Sequence, residues 1–201
     1  MPVTRPIPRR AAGFSLIELM ITVTLIAILL VMVVPSFGTW NADARARSVA
    51  ESLTNAIRQT QSAAVGNGRT SLFALTADTS PTVTSTPSAS GPNWVAELNV
   101  LGGSDETQAK LGTILKSSEA SASKVTVTGP ALMCFNALGR QTALAAGSTN
   151  FAVACASADP QTFTVSRASA SRSYKVLVYA GGRVRMCDAA KALSSANPDG
   201  C

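Results

Sequence analysis

The chain has 201 residues, enough for one modest domain beside a membrane segment. Aromatic residues are 5% and charged residues 14% of it, which argues against a large aromatic core and for a small β-rich domain with polar loops. There is no histidine, so the commonest general base and metal ligand is missing; with no nucleophile–base set, metal cluster or phosphate loop in sight, an enzyme is not expected, nor a cofactor.

The net charge of +6 is unevenly spread. Residues 1–13 hold Arg5, Arg9 and Arg10 and no acid; without them 14 basic groups face 11 acidic ones, a net of +3. From residue 120 onward eight basic groups (Lys124, Arg140, Arg167, Arg172, Lys175, Arg183, Arg185, Lys191) face three acids, Asp159, Asp188 and Asp199. A patch in that part would attract an anionic partner.

Phe14 to Val34 reads FSLIELMITVTLIAILLVMVV, 21 residues nearly all apolar and long enough to cross a ~30 Å hydrocarbon core as a helix. The arginines ahead of it place the N-terminus in the cytoplasm and the rest of the chain across the membrane. An ordinary secretory signal has a shorter apolar run followed by an A-x-A-like site. Here Gly13 precedes the run, which puts cleavage on the cytoplasmic side and keeps the helix in the mature chain.

Glu18 is the anomaly in this segment. A carboxylate costs ~2.5–3.5 kcal/mol at the centre of a spanning helix, and less near its end. One reading leaves it a turn from the helix end, in contact with water. The other pairs it with the α-amine that cleavage after Gly13 frees on Phe14, a positive charge that the helix N-terminus reinforces. If that amine belongs to a neighbouring subunit, the pair sets the axial stagger of a filament.

The string GFSLIELMITVTLIAILLVMVVP resembles the class III signal of type IV pilins and type II secretion pseudopilins. The resemblance implies cleavage by prepilin peptidase between Gly13 and Phe14, N-methylation of Phe14, an assembly role for Glu18 and a helix kink at Pro35.

After Pro35 the chain turns polar but keeps a helical pattern. Val49, Leu53, Ala56, Ile57 and Ala64 recur at three- and four-residue steps, with Arg45, Arg47, Glu51 and Arg58 on other faces. Gly66-Asn67-Gly68 predicts the stop. Residues 76–93 are rich in Ser, Thr and Pro and read as a loop or mobile insert. Strands are predicted at Thr70–Leu75, Trp94–Val100, Lys124–Thr128, Leu132–Phe135, Phe151–Cys155, Thr162–Arg167, Tyr174–Ala180 and Arg183–Cys187.

The segment CFNALGRQT and the closing GGRVRMC resemble the head of the GspH/FimT/FimU group of minor pilins and pseudopilins. The fold class expected is therefore α+β: a long N-terminal membrane-spanning helix packed on an antiparallel β-sheet head, the pilin fold. The expected organisation is a leader at 1–13, a transmembrane and assembly helix at 14–35, a helical continuation at 36–66 that packs on the head, and a periplasmic β-rich head at 67–201.

None of the four cysteines sits in a C-x-x-C pair, so zinc is not expected. Outside the cytoplasm disulfides persist, and four cysteines allow three pairings. Pairing of sequence neighbours is the expectation: Cys134–Cys155 across adjacent strands, and Cys187–Cys201 tying down the tail. The second closes a loop of about 14 residues and contributes on the order of 3 kcal/mol by chain entropy.

Tyr174–Ala180, Gly181-Gly182 and Arg183–Cys187 read as a hairpin around a two-glycine turn. Alternation sends Val184 and Met186 to one side and Arg183 and Arg185 to the other. With a two-residue loop, Val184 and Met186 face Tyr179 and Leu177. One reading of the arginines is a solvated strand face without a partner. The other is phosphate binding, because guanidinium groups two residues apart on a strand stand ~7 Å apart, close to the spacing of successive phosphates. Gly-Arg-Val-Arg also resembles the G-R-x-R pattern of FimT-type pilins that bind DNA during natural transformation; the resemblance gives binding to Arg183 and Arg185, with Lys191, Lys175 or Arg172 adding long-range attraction.

Three functions stay open at this point: a structural minor pilin of the FimT/FimU kind in a type IV pilus, a pilin that also binds double-stranded DNA for uptake, and a GspH-like pseudopilin of a type II secretion system. All three place the chain in the bacterial inner membrane with its head in the periplasm before assembly, and all three take prepilin peptidase and other pilins or pseudopilins as partners.

Overall fold

The computed structural model describes residues 13–100 and 113–201, with the side chains of residues 31–36 left aside. The chain divides into two units, Met1–Gly38 and Thr39–Cys201. Helix α1, Leu16–Asn67, contributes to both. The leader expected at 1–13 lies outside the described residues apart from Gly13.

In the first unit the described side chains from Phe14 to Leu30 are exposed, the large apolar ones included. Among the described residues no helix is long and apolar enough to cross a membrane. The last part of the 21-residue run, Val31 to Val34, belongs to the side chains left aside. Pro35 falls within α1, three residues before the unit boundary at Gly38.

In the second unit α1 is amphipathic. Ala46, Val49, Ala50, Leu53, Ala56, Ile57 and Ala64 are buried in the main core, while Arg45, Arg47, Glu51 and Arg58 stay exposed. Those buried positions make one stripe at the helical period, as the sequence predicts. The helix stops in a Schellman arrangement: the N–H of Gly68 donates to Val65 O (3.2 Å) and that of Arg69 to Ala64 O (3.1 Å). Gly68 is left-handed at φ +62°, a conformation that costs glycine little.

The head is antiparallel, as expected, and its strands form two sheets among the described residues. The first has the order β4-β3-β1-β6, from β1 (Ser71–Thr76), β3 (Asn93–Leu98), β4 (Thr113–Ser117) and β6 (Leu132–Phe135). The second has the order β2-β5-β7-β8-β9, from β2 (Ser90–Gly91), β5 (Val125–Thr128), β7 (Gln161–Arg167), β8 (Tyr174–Val178) and β9 (Val184–Asp188). A single turn of helix, α2 (Glu119–Ala122), precedes β5. One core joins the helix stripe to Phe73, Leu75, Trp94, Met133 and Phe135 of the first sheet and to Val127, Phe163, Val165, Val176 and Val178 of the second. Phe73 and Phe163 meet edge to face across it, with centroids 5.9 Å apart.

The predicted strand at Phe151–Cys155 is not formed. Cys155 makes only an isolated bridge with Leu144. Phe151, Val153 and Cys155 do alternate, but as a flap: they lie with Leu144 over Leu72, Ala74, Val95, Leu132 and Cys134 on the outer face of the first sheet. The period-two pattern is real, and it serves packing onto a sheet face rather than pairing at an edge. Residues 76–93 are largely loop, as expected, pinned by the bridge Thr76–Pro87 and by β2.

Both expected disulfides are present. Cys134–Cys155 has a Cα–Cα distance of 5.8 Å and ties the flap to β6, not to an adjacent strand as expected. Cys187–Cys201, with 5.2 Å between Cα atoms, ties the tail to β9.

One buried carboxyl sits beneath the flap. Glu97 on β3 is fully buried; its Oε1 accepts a hydrogen bond from Asn150 Nδ2 (2.9 Å), and among the described residues no hydrogen bond reaches Oε2. Desolvation pushes its pKa up to about 7, against the smaller lowering effect of Asn150.

Candidate functional site: the N-terminal motif and the basic hairpin

Glu18 is the one ionisable side chain between Gly13 and Pro35. It stands in the first turn of α1, exposed. Ser15 and Glu18 form a capping box: Ser15 Oγ accepts the N–H of Glu18 (3.3 Å) and Glu18 Oε2 accepts the N–H of Ser15 (3.4 Å). Sequence reasoning passed over this S-x-x-E spacing, although it is legible there. Beside any role between subunits, Glu18 thus has a local one, closing the helix start one residue after Phe14. Phe14 itself is 86% exposed and Gly13 has open space around its Cα.

On the head, β8 and β9 form the expected hairpin with a register one residue from the expected one. Val178 faces Val184, Leu177 faces Arg185 and Val176 faces Met186, replacing the pairings of Val184 with Tyr179 and of Met186 with Leu177. The cause is the turn. Tyr179 N–H donates to Arg183 O (2.9 Å) and Gly182 N–H to Tyr179 O (2.8 Å), so three residues, 180–182, make the loop, with Gly182 left-handed at φ +92°. Val184 is buried and Met186 packs against the core; Arg183 and Arg185 occupy the other face, as the alternation predicts.

The two arginines have different surroundings. Arg183 is exposed, its guanidinium carbon 4.1 Å from the centroid of the Tyr179 ring. Arg185 is engaged with the tail: its Nη2 donates to Gly200 O (2.6 Å) and Pro198 O (3.2 Å). Lys191 is likewise held, its Nζ 2.6 Å from Asp199 Oδ2. That hydrogen bond holds the Asp199 carboxyl below its ordinary range. Lys175 shares the outer face of β8 with Leu177 and stands opposite Cys187. Arg172 precedes β8 at the end away from the turn, where its N–H donates to Asp43 Oδ1 (3.0 Å). The structure therefore groups Arg183, Arg185 and Lys175 on one sheet face, couples Lys191 to the tail, and leaves Arg172 at the far end.

Arg140, which enters the sequence reading only among the basic groups after residue 120, lies on a turn beside the hairpin. The turn at 136–140 is closed by Asn136, whose Oδ1 accepts the N–H groups of Leu138 (2.9 Å) and Arg140 (3.1 Å). Its Gly139 is left-handed (φ +72°), and its carbonyl accepts Gln61 Nε2 (3.1 Å), the same nitrogen that donates to Gly182 O (2.6 Å). A Cβ on Gly182 would collide with Gly139 O, so the two turns are in direct backbone contact. The sequence repeats the Gly-Arg dipeptide at Gly139-Arg140 and Gly182-Arg183, but also at Gly68-Arg69, so the repeat alone does not single out the pair. Among the described residues no group of three or more His, Cys, Asp or Glu is placed to hold a metal ion.

Residues 8–34 match the prokaryotic N-terminal methylation motif. The chain is similar to type IV pilins in that motif, which precedes an α+β head in which the helix packs on antiparallel sheets. Two crystal structures of the type IV minor pilin FimU of Pseudomonas aeruginosa, strain PAO1, match it. One, in space group P21, has 17% sequence identity and a TM-score of 0.45, over 74% of this chain and 92% of FimU. The other, in space group P65, has 16% identity and a TM-score of 0.44, over 74% of this chain and 98% of FimU. No curated protein matches the chain by sequence.

Proposed function

We propose that the chain is a minor pilin of the FimT/FimU kind, made as a precursor, anchored in the inner membrane by residues 14–35 and incorporated into a type IV pilus with its head outside the cytoplasm. The observation that carries this reading is the methylation motif at 8–34, with Gly13 and Phe14 at its processing site and Glu18 as the one ionisable group in the apolar run. Prepilin peptidase removes residues 1–13, the new α-amine of Phe14 is methylated, and Glu18 neutralises the amine of a neighbouring subunit. A charge pair in lipid is directional where apolar packing is not, so it fixes the stagger of stacked helices. The test is Glu18→Ala in the host. Normal processing with loss of the subunit from sheared pili is expected; unaltered incorporation would remove the assembly role.

The finer reading is that the head binds double-stranded DNA through its basic hairpin. Arg183 supports it: exposed, backed by an aromatic ring and set beside a tight turn. Lys175 and Arg172 add long-range attraction. Binding of this kind is independent of base sequence and falls steeply with salt. Titration of the full chain in detergent with duplex DNA at low and moderate salt, beside Arg183→Gln/Arg185→Gln, tests it: equal affinity in wild type and double variant would remove the hairpin as the site.

A further inference from the structure

Resting on the DNA-binding reading, we propose that the phosphate-contacting pair is Arg140 and Arg183, on two glycine turns stapled by Gln61, and that Arg185 holds the tail. Three observations carry this. The first is the staple. Gln61 Nε2 donates to Gly139 O and Gly182 O at once, and the arginines are the next residues, Arg140 and Arg183. The turns are joined again where Gln141 N–H donates to Ala180 O (3.1 Å) and Gln141 Nε2 to Val178 O (2.5 Å). The spacing of the two arginine backbones is thus set by the helix and by main-chain contacts.

The second is exposure. Arg140 and Arg183 are both exposed, and no carboxylate is paired with either among the described residues. Arg185 is partly buried and gives its Nη2 to two tail carbonyls that no other donor of the described residues replaces. Pulling it onto a phosphate would strand those carbonyls, although the Cys187–Cys201 disulfide would still hold the end of the tail. The third is the face itself. The Tyr179 ring backs Arg183, with the guanidinium carbon 4.1 Å from the ring centroid, and guanidinium N–H groups donate in the paired fashion suited to phosphate oxygens. One acid adjoins the platform: Asp159 Oδ1 accepts the N–H of Ala180 (3.1 Å), and its charge opposes an approaching phosphate.

The experiment is a fluorescence anisotropy titration of the full chain in detergent with a labelled duplex of random sequence, at about 50 and about 200 mM salt. Arg140→Gln and Arg183→Gln are each expected to weaken binding roughly threefold or more and to lower the log–log salt slope by about 0.9, one phosphate contact each. Arg185→Gln is expected to bind within roughly twofold of wild type while unfolding at a lower temperature. Arg140→Lys keeps the charge and should bind like wild type, which separates a lost contact from a misfolded turn. Asp159→Asn, which still accepts from Ala180, should bind more tightly. If wild type binds but Arg140→Gln matches it in affinity and slope, the two-turn platform is wrong and the DNA reading survives. If wild type does not bind at the lower salt, both fall.

Discussion

The two halves of α1 handle apolar surface in opposite ways. From Leu16 to Leu30 the large apolar side chains point in every direction and are exposed within their unit. From Ala46 to Ala64 apolar residues keep to one stripe, which the two sheets cover, while Arg45, Arg47, Glu51 and Arg58 face outward. A helix apolar all round needs a surrounding that is apolar all round, whether lipid or other helices. A helix with one stripe needs a single covering layer, and here its own chain supplies it. The carboxylates differ in the same sense. Glu18 closes the helix start and is proposed to await an amine from another subunit. Asp43 already has its partners: Ser171 Oγ (2.6 Å) and the N–H groups of Ser171 (2.8 Å) and Arg172 (3.0 Å), which fix the loop before β8.

The largest expected effect tests the first half. Gly13→Leu should leave the precursor at full length and abolish piliation that depends on this subunit, read by mass spectrometry of the purified protein; normal trimming would break the leader assignment. Next comes a paired truncation. Leu53→Ala should destabilise the head by ~2–5 kcal/mol, the usual cost of emptying a buried leucine site, whereas Leu25→Ala should leave thermal unfolding of the head where it was. Equal effects would mean that the halves are not energetically distinct.

A smaller effect concerns pH. Glu97 is more easily protonated folded than unfolded, so the native state binds more protons between its ordinary 4.5 and about 7, and stability should fall as pH rises through that window. The expected loss between about pH 5 and about pH 8 is on the order of 2–3 kcal/mol. Glu97→Gln should match wild type at the lower pH and remain flat above it; a variant as pH-dependent as wild type would assign the loss elsewhere. The smallest effect is at Asp43. Its pKa is lowered, first by the Ser171 hydroxyl and then by the two backbone donors. Its contribution is present above the ordinary carboxylate range and lost as pH falls below it. Asp43→Asn should lower the melting temperature slightly at neutral pH and converge with wild type in acid.

Features set by neighbours along the chain were legible. The stripe at 49–64, the glycine stop and the hairpin all arise from local periodicity or turn chemistry, and each appears in the fold. Features set by distant partners were not. The hairpin register turned on whether Gly182 closes a two- or a three-residue loop, and the groups that contact that turn, Gln61 and Gly139, come from elsewhere in the chain. The role of Arg185 depends on carbonyls of Pro198 and Gly200 brought back by the tail, and no property of Gly-Arg-Val-Arg announces them. Phe151–Cys155 carries a strand's alternation yet lacks a strand to pair with. The two-residue β2 is too short for a periodic signal, and β4, exposed or half-buried throughout, does not alternate between a buried and an exposed face.

The wiring of the first sheet has a mechanical consequence. β1 begins four residues after the end of α1 and lies between β3 and β6, with a ladder on each side. Tension drawn along the helix therefore enters the head through an interior strand. Two rows of hydrogen bonds share that load, together with the Leu72 and Phe73 side chains locked on opposite faces, and no edge strand is offered for peeling. A head wired in this way would be hard to unravel by a pull on its helix.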